Sequence, residues 1–465
     1  MSILTELSRL QTAKANMKTA LESKEVVVPS DARLSDYPAL ITSIGAKAVE
    51  EKFLNFYDFE GTLVASYDAD EIAGLTELPE APDHSADEVP LTFEEWNWTL
   101  DEIKEYHTEL PDATIIVGAT YHPTDGKLHM IVETFVDNYL NPLQLSFQSE
   151  AQIDWGDGTS STASGGSDVS HYYETKGRYH VVVTTTSTYF SITKTANLLP
   201  KEAYIPRAIT TLNGLLFYKC YTLEKVVLPS SVTLGSSIYG GVFGECYSLG
   251  AIILPRSLTE EVSESSMMNC YSLRVLSLPP AITSLEDYAI NGCIALRKIT
   301  IPKGLLALSG SNALSNTAVE EIRLPSSLTS IGFSSFRSDK GLKKINIPAG
   351  VREIKSYTFN DCQSLEQIEL NEGLETIGGN AFDTARSLQS ITIPSTVTSI
   401  GSSAFNNAQC LASVTVLATA PPTLGSGAFS GSGLKKIYVP AESVEAYKSA
   451  TNWANYAEKI EAIPE

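Results

Sequence analysis

The sequence predicts a mainly β, multidomain protein: an N-terminal α-helical coiled coil, a small β-rich module, a β-sandwich and a long C-terminal solenoid. Three observations carry this. A phrase of the form Leu-x-x-Ile-x-Ile-Pro recurs through the second half, and from Pro279 it returns every 23 residues, at Pro302, Pro325 and Pro348. Strand-length stretches alternating apolar with polar residues fill most of the front half. The one sustained heptad pattern sits at the very start of the chain.

The repeat anchors are Pro206, Pro229, Pro255, Pro279, Pro302, Pro325, Pro348, Asn371 in place of proline, Pro394, Leu417 and Pro440. A fixed period in this range marks stacked units, each too small to bury its own apolar face. In Leu365 to Leu370 and Leu388 to Ile393 every second side chain is apolar, which predicts one short strand per coil. The proline after it lacks a ladder donor and belongs at the strand's exit. A second apolar cluster follows, as in Val351 to Ile354, and then an aromatic position that should plug the coil. Phe217, Phe243, Phe336, Phe359, Phe382, Phe405 and Phe429 occupy it, Met267 and Ile290 substitute, and near Leu314 one residue is missing. Phrase, spacing and plug together resemble the BspA-type leucine-rich repeat over about residues 198–440. That resemblance implies units pairing a short strand with a turn or irregular segment, and a leucine-rich-repeat solenoid overall.

Cysteines follow the same register. Cys220, Cys246, Cys270, Cys293 and Cys362 each stand three residues before the unit's leucine, whereas Cys410 is out of phase. Like positions in successive coils lie about 5 Å apart, so these thiols should form a buried column. A disulfide or metal ladder is the alternative, but no CxxC pair is present and Asp339 or Ala385 replaces cysteine at this phase elsewhere. Tyr221, Tyr247 and Tyr271 directly follow three in-phase cysteines. They should stack into an aromatic strip that either packs the coil edge or holds a glycan.

At 465 residues the chain is too long for one core. Its 33 basic and 55 acidic residues give a net charge of −22, which disfavours nucleic acid and anionic membranes as partners. No stretch reaches the apolar length of a membrane span. The start of the chain lacks the pattern of an export signal, which places synthesis and retention in a cytosol.

Ile3, Leu7, Leu10, Met17 and Leu21, with Lys14 between, form a heptad seam that predicts a helix either docked on its own domain or assembling a homo-oligomer, a trimer first. Residues 1–45 look like the opening of bacteriophage and prophage tail and fibre proteins, which implies attachment to other virion proteins and a virion location. Residues 46–130 carry Phe53 to Val64, an acidic proline-containing stretch and Phe93 to Trp98. They resemble the small β-rich modules related to internalin-type B repeats. Trp96 and Trp98 are open to two readings, sugar stacking or module core. In residues 131–197 the turn Ile153 to Thr159, with its WGDG run, and the strand after Gly177 resemble the polycystic-kidney-disease-type, immunoglobulin-like sandwich. Asp154, Asp157 and Asp168 either gather round calcium or hydrogen-bond a glycine-rich turn. Residues 441–465 read as a helical cap.

No zinc-hydrolase histidine pair, nucleophile elbow or phosphate loop is present, and the adjacent Glu94 and Glu95 should point to opposite faces of a strand. The expectation is a non-enzymatic tail or fibre protein without cofactor or resident metal. Its solenoid would adhere to a host-surface glycan or protein. A structural head or tail decoration and a bacterial cell-surface adhesin are the alternatives.

Overall fold

The 23-residue step sets like side chains over like side chains, and the computed structural model shows the ladders that result. It describes residues 52–464 apart from 138–141, 193–198, 213 and 235–240, so the heptad positions Ile3, Leu7, Leu10, Met17 and Leu21 lie outside the described residues. In the regular coils the strands Lys344–Asn346 and Gln367–Glu369 pair in parallel, with Ile345 beside Ile368, and Ser390–Ile393 pairs likewise with Ser413–Val416. The second apolar cluster forms a strand of its own. Glu353–Ile354, Thr376–Ile377 and Ser399–Ile400 make a parallel ladder with Ile354, Ile377 and Ile400 in register. Each such coil therefore has two strands where the sequence predicted one, because two alternating residues suffice for a two-residue ladder.

The plug turn is held by backbone conformation. Residues two before and two after the plug adopt positive φ: Tyr357 and Asp361 around Phe359, Asn380 and Thr384 around Phe382, Ser403 and Asn407 around Phe405. Asn, Asp and Ser tolerate this region best, whereas the β-branched Thr384 is strained there. These paired reversals drive the ring inward. Phe336, Phe359, Phe382, Phe405 and Phe429 stack with centroids 5.1 to 5.4 Å apart, close to the separation of neighbouring strands. Plug N–H groups donate to the next coil, as Phe359 to Ala381 and Phe382 to Ala404, while residues entering the strands donate to the preceding coil, as Glu366 to Lys343.

The β-rich front module also carries a helix. Its sheet runs β2 (Leu63–Tyr67), β1 (Leu54–Tyr57), β4 (Ile115–Pro123), β3 (Leu91–Trp96), with β1 and β4 parallel. Between β3 and β4 lies helix α1, Leu100–Glu109, started by a capping box in which Thr99 and Glu102 bond reciprocally.

Next come two sheets with alternating burial. One contains β6 (Leu143–Phe147) between β9 (Asp168–His171) and β11 (Phe190–Ile192). The other includes β5 (Leu128–Thr134), β7 (Ala151–Asp154), β8 (Ser160–Ala163) and β10 (Gly177–Thr185). Val181 and Val183 of β10 and Leu143, Leu145 and Phe147 of β6 share one core with the solenoid.

The junction to the solenoid is a continuous sheet. β12, Pro200–Tyr204, pairs antiparallel with β5 and parallel with the first coil strand, Lys225–Val227. The two-sheet unit thus closes the open end of the stack. At the far end helix α2, Val444–Ser449, seats Tyr447, and the buried Trp453 donates to the Pro422 carbonyl. A last strand, Ile460–Ala462, pairs with Lys436–Val439, placing Ile460 beside Ile437. The repeat register thus extends beyond Pro440.

Candidate recognition surface

The in-phase cysteines Cys220, Cys246, Cys270, Cys293 and Cys362 are buried free thiols, and Cys410 is exposed. Four bond backward: Cys246 Sγ donates to the Phe217 carbonyl at 3.0 Å, Cys270 to Phe243 at 3.1 Å, Cys293 to Met267 at 3.2 Å and Cys362 to Phe336 at 3.0 Å. Burial pushes the Cys270 thiol up to about 12 and raises Cys293 and Cys362 as well, so no reactive thiolate forms there near neutrality.

Asp339 stands at the same phase and is fully buried. The turn before it is short, with five steps from Leu314 to Val319 against six from Phe336 to Leu342. Asp339 Oδ1 fills the gap, accepting from the Thr317 N–H at 2.6 Å and its hydroxyl at 3.1 Å. Oδ2 finds no partner among the described residues, and burial raises the carboxyl pKa well above its ordinary value.

Tyr221, Tyr247 and Tyr271 form the column that their phase predicts, with centroids 4.8 and 4.7 Å apart. Tyr221 and Tyr271 are about two-fifths exposed, and the exposed Ile294 continues the line. Because the rings stack on one another, the strip presents ring edges and hydroxyls, and only the end rings have a free face. Glu245 accepts from the Tyr247 hydroxyl at 3.0 Å and the Tyr218 hydroxyl at 3.1 Å. Desolvation and this carboxylate push the Tyr247 phenol up to about 12. The edge offers a ligand hydroxyl donors and an acidic acceptor.

The front module covers part of the strand face. Trp96 and Trp98 are buried, which removes the sugar-stacking alternative: Trp98 Nε1 donates to the Leu278 carbonyl at 2.8 Å and Trp96 meets Phe56 edge-on. Asn97 Nδ2 donates to the Leu254 carbonyl and to Ser277 Oγ, both at 2.9 Å, while its Oδ1 accepts from the Gly118 N–H. Gly118 is required here, since a Cβ would lie 2.4 Å from Ile253. Along α1, Glu102 pairs with Arg256, Glu105 with Lys303, and Glu109 accepts from Ser326. Glu94 is held low by the Ser230 N–H and Arg207, which outweigh its burial.

In the WGDG turn, Asp154 accepts from the Gly156 N–H and Asp157 from Thr159. His171 bonds the other Asp157 oxygen at 2.8 Å, and Asp168 receives the Gln144 amide. These aspartates have turn and side-chain partners. Among the described residues no group of three or more His, Cys, Asp or Glu side chains is placed to hold a metal ion.

A family profile described as the BspA type leucine rich repeat region matches residues 210–343 and 329–455, in six copies. The chain belongs to this family. No curated protein matches this BspA-type chain. Among solved structures it is similar to a leucine-rich repeat protein from Bacteroides ovatus, at 25% identity over 56% of this chain and 83% of that one, TM-score 0.33. The pneumococcal vaccine antigen PcpA matches at 18% identity over 59% and 81%, TM-score 0.37. A leucine rich cell surface protein from Faecalibacterium prausnitzii matches at 20% identity over 57% and 88%, TM-score 0.28.

Sequence reasoning found the tyrosine column and missed a second surface of the BspA-type stack, a cleft where the front module meets the coils around Arg274 and Arg323. Its lining comes from segments far apart in the chain, so no local pattern marks it.

Proposed function

We propose that this BspA-type protein is a non-enzymatic adhesion protein whose solenoid presents a stiff wall to a host-surface glycan or protein. The observation that carries the reading is the shared core of the coils described between β12 and Ile460, closed at both ends and bearing an exposed tyrosine edge. Such a wall binds by shape and multiplicity. The start of the chain, similar over residues 1–45 to phage tail and fibre proteins, favours a virion component that trimerises through Ile3, Leu7, Leu10, Met17 and Leu21 and attaches there to other virion proteins. On this reading the two units before the coils, the second similar to polycystic-kidney-disease-type domains, brace the solenoid. No cofactor is needed. A bacterial cell-surface adhesin is the second reading, favoured by the family itself, whose repeats occur in bacterial surface adhesins.

The test compares the full chain with a variant lacking residues 1–25. We expect a trimer in solution that binds host cells, and a monomeric variant about 10² to 10⁴-fold weaker through lost avidity. A full chain that binds neither host cells nor their extracted polysaccharide overturns the adhesion reading. A monomeric full chain overturns the trimeric virion form of it.

A further inference from the structure

The cleft beside α1 has a volume of about 660 Å³, within the range of small-molecule sites. One wall is the front module, with Tyr57, Tyr106 and Ile116, and the other is three successive coils. Four cations, Arg274, Arg297, Lys298 and Arg323, line it in a chain whose net charge is −22. With Asp112, Glu320 and Glu321 also in the lining, the cleft carries cations and carboxylates side by side with a slight positive excess, which is the first anomaly.

The second is how loosely the arginines are engaged. Arg297 meets Glu320 at 3.5 Å, and Arg323 meets Asp112 at 3.5 Å and Glu369 at 3.7 Å. Long pairs to carboxylates this exposed exchange readily for a better acceptor. Arg274 has no ion-pair partner among the described residues. The third is Tyr106, only 1% exposed, whose hydroxyl has no hydrogen-bond partner among the described residues although its side chain lines the cleft.

We propose that this cleft binds a carboxylated sugar. Arginine forks match a carboxylate in two-point geometry. Asp112, Glu320 and Glu321 would accept from sugar hydroxyls, and the apolar floor of Val275 and Ile299 suits the C–H face of a pyranose ring. A purely anionic ligand such as free phosphate would use the cations and be repelled by the three carboxylates. A neutral sugar would leave the arginines unused. The inference deepens the adhesion reading and rests on it for the ligand's source, since a host surface supplies acidic sugars as uronic acids or as sialic acids.

The test titrates the full chain, by calorimetry, with trigalacturonic acid, 3′-sialyllactose and neutral maltotriose. We expect at least one acid to bind, the one that does naming the source, with affinity falling as salt is raised, and maltotriose to show no heat. Arg274→Gln and Arg323→Gln, checked by thermal unfolding to be folded, should each weaken binding by about tenfold or more. Lys127→Gln, in the turn between β4 and β5 and not part of the cleft lining, should bind as the parent does. Neither acid binding, maltotriose binding equally well, or both arginine variants matching the parent overturns the inference. Host-cell binding retained alongside any of these results overturns the cleft alone, whereas loss of cell binding by the parent overturns the adhesion reading.

Discussion

The coils before Pro302 and those after it obey one repeat yet differ on the outward side of the first strand. In the coils anchored at Pro255 and Pro279 the outward residues are Ala251, Ile253, Val275 and Ser277, followed by Thr300 in the next coil, buried against Tyr57, Ile116 and neighbouring backbone of the front module, with Lys298 the charged residue at this phase where the cleft opens. In the later coils the same phases carry Glu321, Arg323, Lys344, Asn346, Gln367 and Glu369. The change from apolar to charged marks where the docked module ends. A solenoid face that is apolar on both sides of its strand is already occupied by its own chain, so on the proposed adhesion reading a ligand would meet the tyrosine edge, the junction or the later coils.

The largest effect should come from the regular region. Phe382→Ala removes a buried ring between two others and should cost about 3 to 5 kcal/mol. Because coils are coupled to neighbours, hydrogen exchange should rise around residues 359–405 and stay unchanged in the front module. Uniform loss of protection would mean that wrapped and free coils unfold as one unit. Asn97→Ala acts on the other side of the comparison. It leaves the Gly118 N–H unpaired and removes both donations to the coils, at about 1 to 3 kcal/mol. Limited proteolysis should then cleave the front module first, with the later coils as resistant as in the parent. Equal cleavage of both would show the docking to be held elsewhere.

The smallest effect lies at the boundary and is one of pH. Asp339 has a raised folded-state pKa, so its contribution is fully present below the unfolded value of about 3.9 and is lost as pH rises through the folded value. As pH rises from about 4 the parent should lose stability relative to Asp339→Asn until the folded-state carboxyl has ionised, and below about pH 4 the pH trends of the two should run parallel. Melting temperatures across that range measure it. Identical pH profiles for parent and variant would mean that the carboxylate is not isolated as described.

How much of this was legible depended on sequence distance. The coil register, plug column and tyrosine column repeat at a fixed step, so each copy corroborates the others. Helix α1 was missed although Thr99-x-x-Glu102 is a capping box, because only Ile103 and Tyr106 are buried along it and no apolar stripe stands out. The docking of the front module was illegible for a different reason. Asn97 finds its partners 157 and 180 residues away, and Trp98 looks the same in sequence whether its ring meets a sugar or a carbonyl. The cleft inherits that obscurity, since Tyr106 and Arg274 become neighbours only after docking.

The plug turns donate forward along the stack, while residues entering the strands donate backward and some leaving them, such as Leu254 and Ile347, donate forward. Every coil therefore offers the same mixture of donors and acceptors above and below, and neither terminus of the pile accumulates one kind of unsatisfied group. Whole turns can be gained or lost between the same two lids, lengthening or shortening the protein by roughly 5 Å at a time. Reach is then an adjustable property of a lineage, independent of what its ends and edges hold.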